Sequence, residues 1–273
     1  MLELEHEFRV VDVGVRLDPD QEAVTQRGRD ITPERLEREF HQAGVVRAVV
    51  VPGPRESGGY LRANNAVARL SVDRPFLAFA RLGGPRVPDS STLGRVRNLA
   101  VRREPYHADP EEVEQYAYDD RFHGFLLDPA RDGLPEADVL EMLSDVGAPV
   151  LVRGGVRFPP AAVAEFVLEY EFPVVLSGFG AFPLNRDHMH EAIDLLEDHD
   201  ELYLDSRFVR FRDPLERGMM EHPDRVLFAS GAPDSHPDVA VMEILTLDVP
   251  QDAMRRVFSK NPGRVIPGLA EGE

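Results

Sequence analysis

Eight times between residues 8 and 230 the chain passes through a short apolar, β-branched run and then into a segment with helical spacing. This alternation constrains the fold more than any other feature. Parallel strands need a long crossover, normally a helix, and strands covered on both faces read as near-continuous apolar runs. Val45, Val46, Val49, Val50 and Val51 make the clearest such run. Residues 8–17, 75–82, 122–128, 149–153, 172–177, 202–205 and 226–230 supply the other predicted strands.

Helix signals fill the gaps. Thr32 stands as a cap before Pro33, with Leu36, Phe40 and Ala43 as the buried stripe and Gly44 as the stop. Asp109, Pro110 and Glu112 combine an acidic cap, a first-turn proline and a capping-box glutamate. Leu93, Val96 and Leu99 keep helical spacing within a long excursion after the third strand, and Asn261-Pro262 is predicted to stop the closing helix. Eight strand–helix pairs in 273 residues, with no linker-like stretch, predict an α/β chain folded as a closed parallel (β/α)8 barrel. One domain over residues 1–273 is expected, with its core at about 8–269. An open doubly wound sheet usually shows a glycine-rich phosphate turn after an early strand, and none is present.

Charge and composition narrow the partners. The net charge is −18, and Lys260 is the sole lysine, so the surface is acidic with arginine as its cation. Such a surface repels nucleic acid and anionic membrane, and it fits a chain kept soluble at high salt, where self-repulsion is screened. No apolar run reaches the length of a membrane span, and the amino terminus lacks the basic and apolar regions of a secretory signal, so a cytoplasmic protein is expected. The absence of cysteine excludes disulfides and thiolate chemistry. No serine sits in a Gly-x-Ser-x-Gly elbow, and no phosphate loop appears.

Within the first strand, alternation predicts that Asp12, Gly14 and Arg16 share one face. The segment 225–233, the closing stretch 257–269, the asparagine-bearing stretch 65–82, residues 124–129 and residues 148–155 together resemble, in order, the amidohydrolase-related branch of the metal-dependent amidohydrolase superfamily. The resemblance spans roughly residues 8–269 and implies a TIM barrel. It also implies metal-activated water with an aspartate as proton shuttle. Yet the positions that match the family's metal ligands are Gly14 and Arg16 on the first strand, Arg153 on the fifth, Gly178 on the sixth and Gly231 on the eighth. Glycine has no donor atom and a guanidinium repels a cation, so no metal and no other cofactor is expected.

Arg16 and Arg153 are predicted to point into the barrel mouth, joined by Arg81 and Arg207. Two fates stay open for them. They can pair internally with Asp12, Asp128 or Asp205, filling the vacated metal cavity, or they can grip a small anionic ligand by paired hydrogen bonds. Asp128 and Asp205 end strands, where barrel enzymes keep catalytic carboxylates, and His236 follows Asp234 and Ser235 in a mouth loop, a place suited to acid–base work or to plain turn chemistry. His188 and His190 stand two residues apart at a helix start, so their rings diverge and cannot share an ion. Three functional readings follow: a metal-free, non-catalytic or anion-binding relative; a metal-independent hydrolase or decarboxylase of a small carboxylate; or a scaffold subunit pairing with a related chain or with a second copy.

Overall fold

The computed structural model describes residues 6–17, 24–26, 29–55, 58–88, 98 and 102–270. Its main sheet has eight parallel strands in sequence order: β1 (Val10–Leu17), β2 (Val45–Pro52), β3 (Phe76–Leu82), β4 (Phe122–Leu127), β5 (Val150–Arg153), β6 (Val174–Ser177), β7 (Leu202–Asp205) and β8 (Val226–Leu227). Between them run α1 (Pro33–Gln42), α2 (Leu61–Ser71), α3 (Pro110–Ala117), α4 (Ala137–Val146), α5 (Pro160–Phe166), α6 (Arg186–Asp194) and α7 (Arg212–Glu221), and α8 (Pro237–Leu245) follows β8. This is the (β/α)8 barrel that the alternation predicted. The stretch around Leu93, Val96 and Leu99 lies outside the described residues.

The caps act as their chemistry demands. The Thr32 side chain accepts from the Arg35 N–H and the Asp109 side chain from the Glu112 N–H, each satisfying an orphan donor of a first helical turn. Pleating then divides the apolar side chains between two cores. Val49, Val51, Leu77, Phe79, Leu126, Leu151 and Val175 fill the barrel interior, while Val50, Ala78, Phe125 and Val152 face the helices. Each large side chain so buried contributes about 1.5–3 kcal/mol.

The seam between β1 and β8 closes in a way that short sequence runs do not reveal. The Val13 N–H donates to Phe228 O at 3.0 Å and the Arg16 N–H to Ala232 O at 2.8 Å. Strand β8 was expected to reach Ser230 but ends at Leu227, because Phe228 N–H turns to Val257 O and Ser230 N–H turns to the Asp12 carboxylate. Strand β1 carries a bulge between Asp12 and Val15, so the predicted common face of Asp12, Gly14 and Arg16 is corrected. Asp12 lies in register with Ala48 of the outer core, whereas Arg16 lies in register with Val51 of the interior.

The far end of the barrel is closed by the C-terminal segment, where Val265, Ile266 and Leu269 join the interior core and Arg47 donates to Gly268 O. Here a second expectation fails: Asn261-Pro262 does not stop the helix. A π-helical turn over Arg256–Lys260 precedes them, and the Asn261 amide donates to Pro223 O and Val226 O, so the chain is carried on helically to Val265. The wider turn accommodates a proline that lacks a donor.

Candidate functional site

The C-terminal ends of the strands surround a cavity of about 990 Å³. Six arginines line it, Arg16, Arg55, Arg131, Arg153, Arg157 and Arg207, against two aspartates, Asp128 and Asp234. Among the described residues the cavity walls thus carry four net positive charges, in a chain whose total is −18. The arginines form two tiers. Arg16 on β1, Arg153 at the end of β5 and Arg207 just past β7 are half-buried, while Arg55, Arg131 and Arg157 are exposed on the loops above them.

Partners differ sharply between these cations. Arg16 and Arg207 share Asp234, at 3.4 and 3.7 Å. Arg207 also lies over the Phe208 ring, with its guanidinium carbon 4.1 Å from the centroid. Arg153 makes no hydrogen bond or ion pair within reach of any described residue. Burial pushes its guanidinium down to about 9, and the positive charges of Arg207 and Arg81 push the same way, against Asp128 and Asp205. It is therefore a charged group at neutral pH that makes no direct ion pair with a described residue, Asp128 and Asp205 acting on it only at longer range.

Arg81 is placed otherwise. It is 1% exposed and does not line the cavity. Its Nε donates to Asp132 at 2.7 Å, its Nη2 to Asp128 at 3.1 Å, and it stacks over Tyr60, whose hydroxyl donates to Asp132 at 2.7 Å. Asn64 fixes the backbone behind it, accepting the Arg81 N–H and donating to Arg81 O. This is internal pairing with Asp128, as one of the two open fates required, and with an Asp132 that the sequence did not single out.

Of the carboxylates, Asp128 faces the cavity. Burial raises its carboxyl above the usual range, while Arg81 and Arg153 pull it down. Asp205 is fully buried and not part of the cavity wall. Its Oδ1 accepts the N–H of Gly178 at 2.8 Å and of Arg207 at 2.9 Å, and burial raises its carboxyl too. His236 also stands outside the cavity lining: it caps α8, its Nδ1 accepting the Asp238 N–H at 3.3 Å, and its Nε2 lies 3.9 Å from Glu39. The loop that holds it does reach the cavity, but through Asp234. Arg55, Arg131 and Arg157 went unmarked in the sequence, although each follows a barrel strand within four residues, which is the mouth end of a (β/α)8 barrel.

The residues present do not fit a metal. At the positions matching the family's ligands, a Cβ on Gly14 would come 2.7 Å from the Ala229 Cβ, and one on Gly178 would come 2.7 Å from Arg207 O. One on Gly231 would overlap the Phe208 ring. Gly178 and Gly231 also hold φ of +61° and +72°, conformations that side-chain-bearing residues rarely adopt. Among the described residues no group of three histidine, aspartate or glutamate side chains is placed to hold an ion. At these three glycines the backbone and its neighbours leave no room for a side chain.

No protein-family model matches the sequence, and no curated protein matches it. Solved structures do match the fold. A putative 2-pyrone-4,6-dicarboxylic acid hydrolase from Pseudomonas putida aligns with a TM-score of 0.66 at 13% identity, over 97% of this chain and 100% of that one. 5-Carboxyvanillate decarboxylase from Sphingomonas paucimobilis aligns with a TM-score of 0.62 at 15% identity, over 96% and 99%. An uncharacterized TIM-barrel protein from Bordetella bronchiseptica aligns with a TM-score of 0.64 at 16% identity, over 95% and 99%. At these identities the likeness is one of fold.

Proposed function

We propose that this chain is a metal-independent barrel protein that binds a small organic anion at its mouth. The observation that carries the reading is Arg153, a half-buried guanidinium opening on an arginine-lined cavity and making no direct ion pair with a described residue. A buried charge is normally paired, and a bound carboxylate or phosphate would supply the missing partner through two parallel hydrogen bonds. Two of the structurally similar proteins bear the names of a putative dicarboxylic acid hydrolase and a carboxyvanillate decarboxylase, names that agree with an anionic ligand.

The test is calorimetric titration of the purified protein, with and without prior chelation, against a panel of small carboxylates and phosphates. Saturable binding that chelation leaves unchanged and Arg153→Ala abolishes supports the reading. Binding restored only by zinc or manganese would sink it. If no anion binds at all, a scaffold role beside a related chain becomes the better account.

A second reading rests on Asp128, the cavity carboxylate whose proton is held more tightly than usual. In a metal-independent hydrolase or decarboxylase it would move the proton while Arg153 held the substrate or its developing negative charge. Turnover lost in Asp128→Asn with binding retained would favour it; loss of binding and turnover together would not.

A further inference from the structure

The arrangement of the six arginines says more about the anion, and this step rests on the anion-binding reading. Arg16, Arg153 and Arg207 come from β1, β5 and beyond β7 and line one cavity, Arg16 and Arg207 reaching the same aspartate and Arg207 lying within electrostatic reach of Arg153. A planar carboxylate offers two oxygens and is satisfied by one or two forks. A phosphate monoester offers three terminal oxygens in a tetrahedral array and about two negative charges, which answers three converging guanidiniums. The space is already marked by an anion of lower charge: Asp234 reaches Arg16 at 3.4 Å and Arg207 at 3.7 Å, too far for hydrogen bonds in good geometry. Above this tier stand Arg55, Arg131 and Arg157, none with an ion pair to a described residue. Among the described residues, one carboxylate ligand would offset one of the four net positive charges of the cavity lining.

We propose that the ligand is a phosphorylated small molecule, its phosphoryl group seated among Arg16, Arg153 and Arg207 in competition with Asp234, and its remaining negative charge met by Arg55, Arg131 and Arg157. Asp234 then sets the charge threshold for entry. An anion that cannot outcompete a tethered carboxylate is refused, and a dianionic one displaces it.

The probes are inorganic phosphate, pyrophosphate, acetate and succinate, titrated calorimetrically into the full chain at one fixed ionic strength. Pyrophosphate is expected to bind about tenfold or more tighter than succinate. The triple variant Arg55→Ala, Arg131→Ala, Arg157→Ala, confined to exposed side chains, should weaken pyrophosphate by about tenfold and inorganic phosphate by clearly less. Asp234→Asn should tighten all four anions and narrow the gap between phosphate and acetate. Succinate binding as tightly as pyrophosphate, or an outer-tier variant without effect on pyrophosphate, overturns the phosphoryl assignment while leaving the anion site standing. Failure of every anion, or indifference of all binding to Arg153→Ala in a variant whose circular dichroism is native, overturns both.

Discussion

Gly178 donates its backbone N–H to the Asp205 carboxylate at 2.8 Å, and the same oxygen takes the Arg207 N–H at 2.9 Å. One buried carboxylate therefore ties the end of β6 to the segment that carries an inner-tier arginine. Asp12 repeats the device across the barrel seam, its Oδ1 accepting the N–H of Gly14 and of Ser230, both at 3.0 Å. In each case the glycine held by the carboxylate stands where the resemblance would place a metal ligand. Buried carboxylates act here as clamps on backbone donors.

Gly178→Ala tests the clamp. The new Cβ would meet Arg207 O at 2.7 Å from a backbone held at φ +61°. Neither the carbonyl nor the φ can yield without breaking the Asp205 bonds. A loss of about 2 kcal/mol or more is expected, read from the urea midpoint.

Introducing the residues that the resemblance would place at the ligand positions should not create a metal site. In the variant carrying Arg16→His, Arg153→His and Gly231→Asp, the aspartate must displace the Phe208 ring and the Gly14 and Gly178 places stay closed. Zinc content after dialysis is expected to stay far below one equivalent, with a lower unfolding midpoint. One tightly held equivalent would show that the backbone opens readily.

The barrel was legible because burial on both faces leaves a sequence trace: β-branched runs at β2 and β5, separated by capped helices, admit few other packings. Gly14, Arg16, Arg153, Gly178 and Gly231 could be picked out in the sequence only through the resemblance, which placed metal ligands at those positions. What the letters could not carry was register and direction. The bulge in β1 turns Asp12 away from Arg16, and no local pattern announces an extra residue opposite Val49. Nor does spacing tell which aspartate an arginine finds: Arg81 took Asp128 and Asp132, and Arg16 took Asp234, more than two hundred residues away.

Arg81 and Arg153 should respond to truncation in opposite directions. Arg81→Met strands Asp128 and Asp132 beside one another without their shared cation, and a cost of about 3–5 kcal/mol is expected. Arg153→Met removes a half-buried cation that makes no direct ion pair with a described residue, so the unfolding free energy should hold or rise, by up to about 2 kcal/mol, even as anion binding is lost. Urea denaturation of the two variants side by side separates them, and a large destabilisation by Arg153→Met would reveal a structural partner.

Asp12 sets a pH dependence whose sign is unusual for a carboxylate. Burial raises its carboxyl to about 6 in the folded chain, with hydrogen bonds from Ser230 and Gly14 opposing, against an ordinary value of 3.8 when unfolded. Between those values the folded state holds the proton more tightly. Its stabilising contribution is therefore complete below about 3.8 and is lost as pH rises through about 6, a swing of about 3 kcal/mol by linkage. Asp12→Asn keeps the Oδ1 acceptor for Gly14 and Ser230 while removing the charge. The difference in unfolding free energy between variant and parent should grow in the variant's favour from pH 4 to pH 7 and level off above. Urea midpoints at half-unit steps of pH read it directly, and a difference that stays constant across that range would mean that the Asp12 carboxylate is ionised throughout.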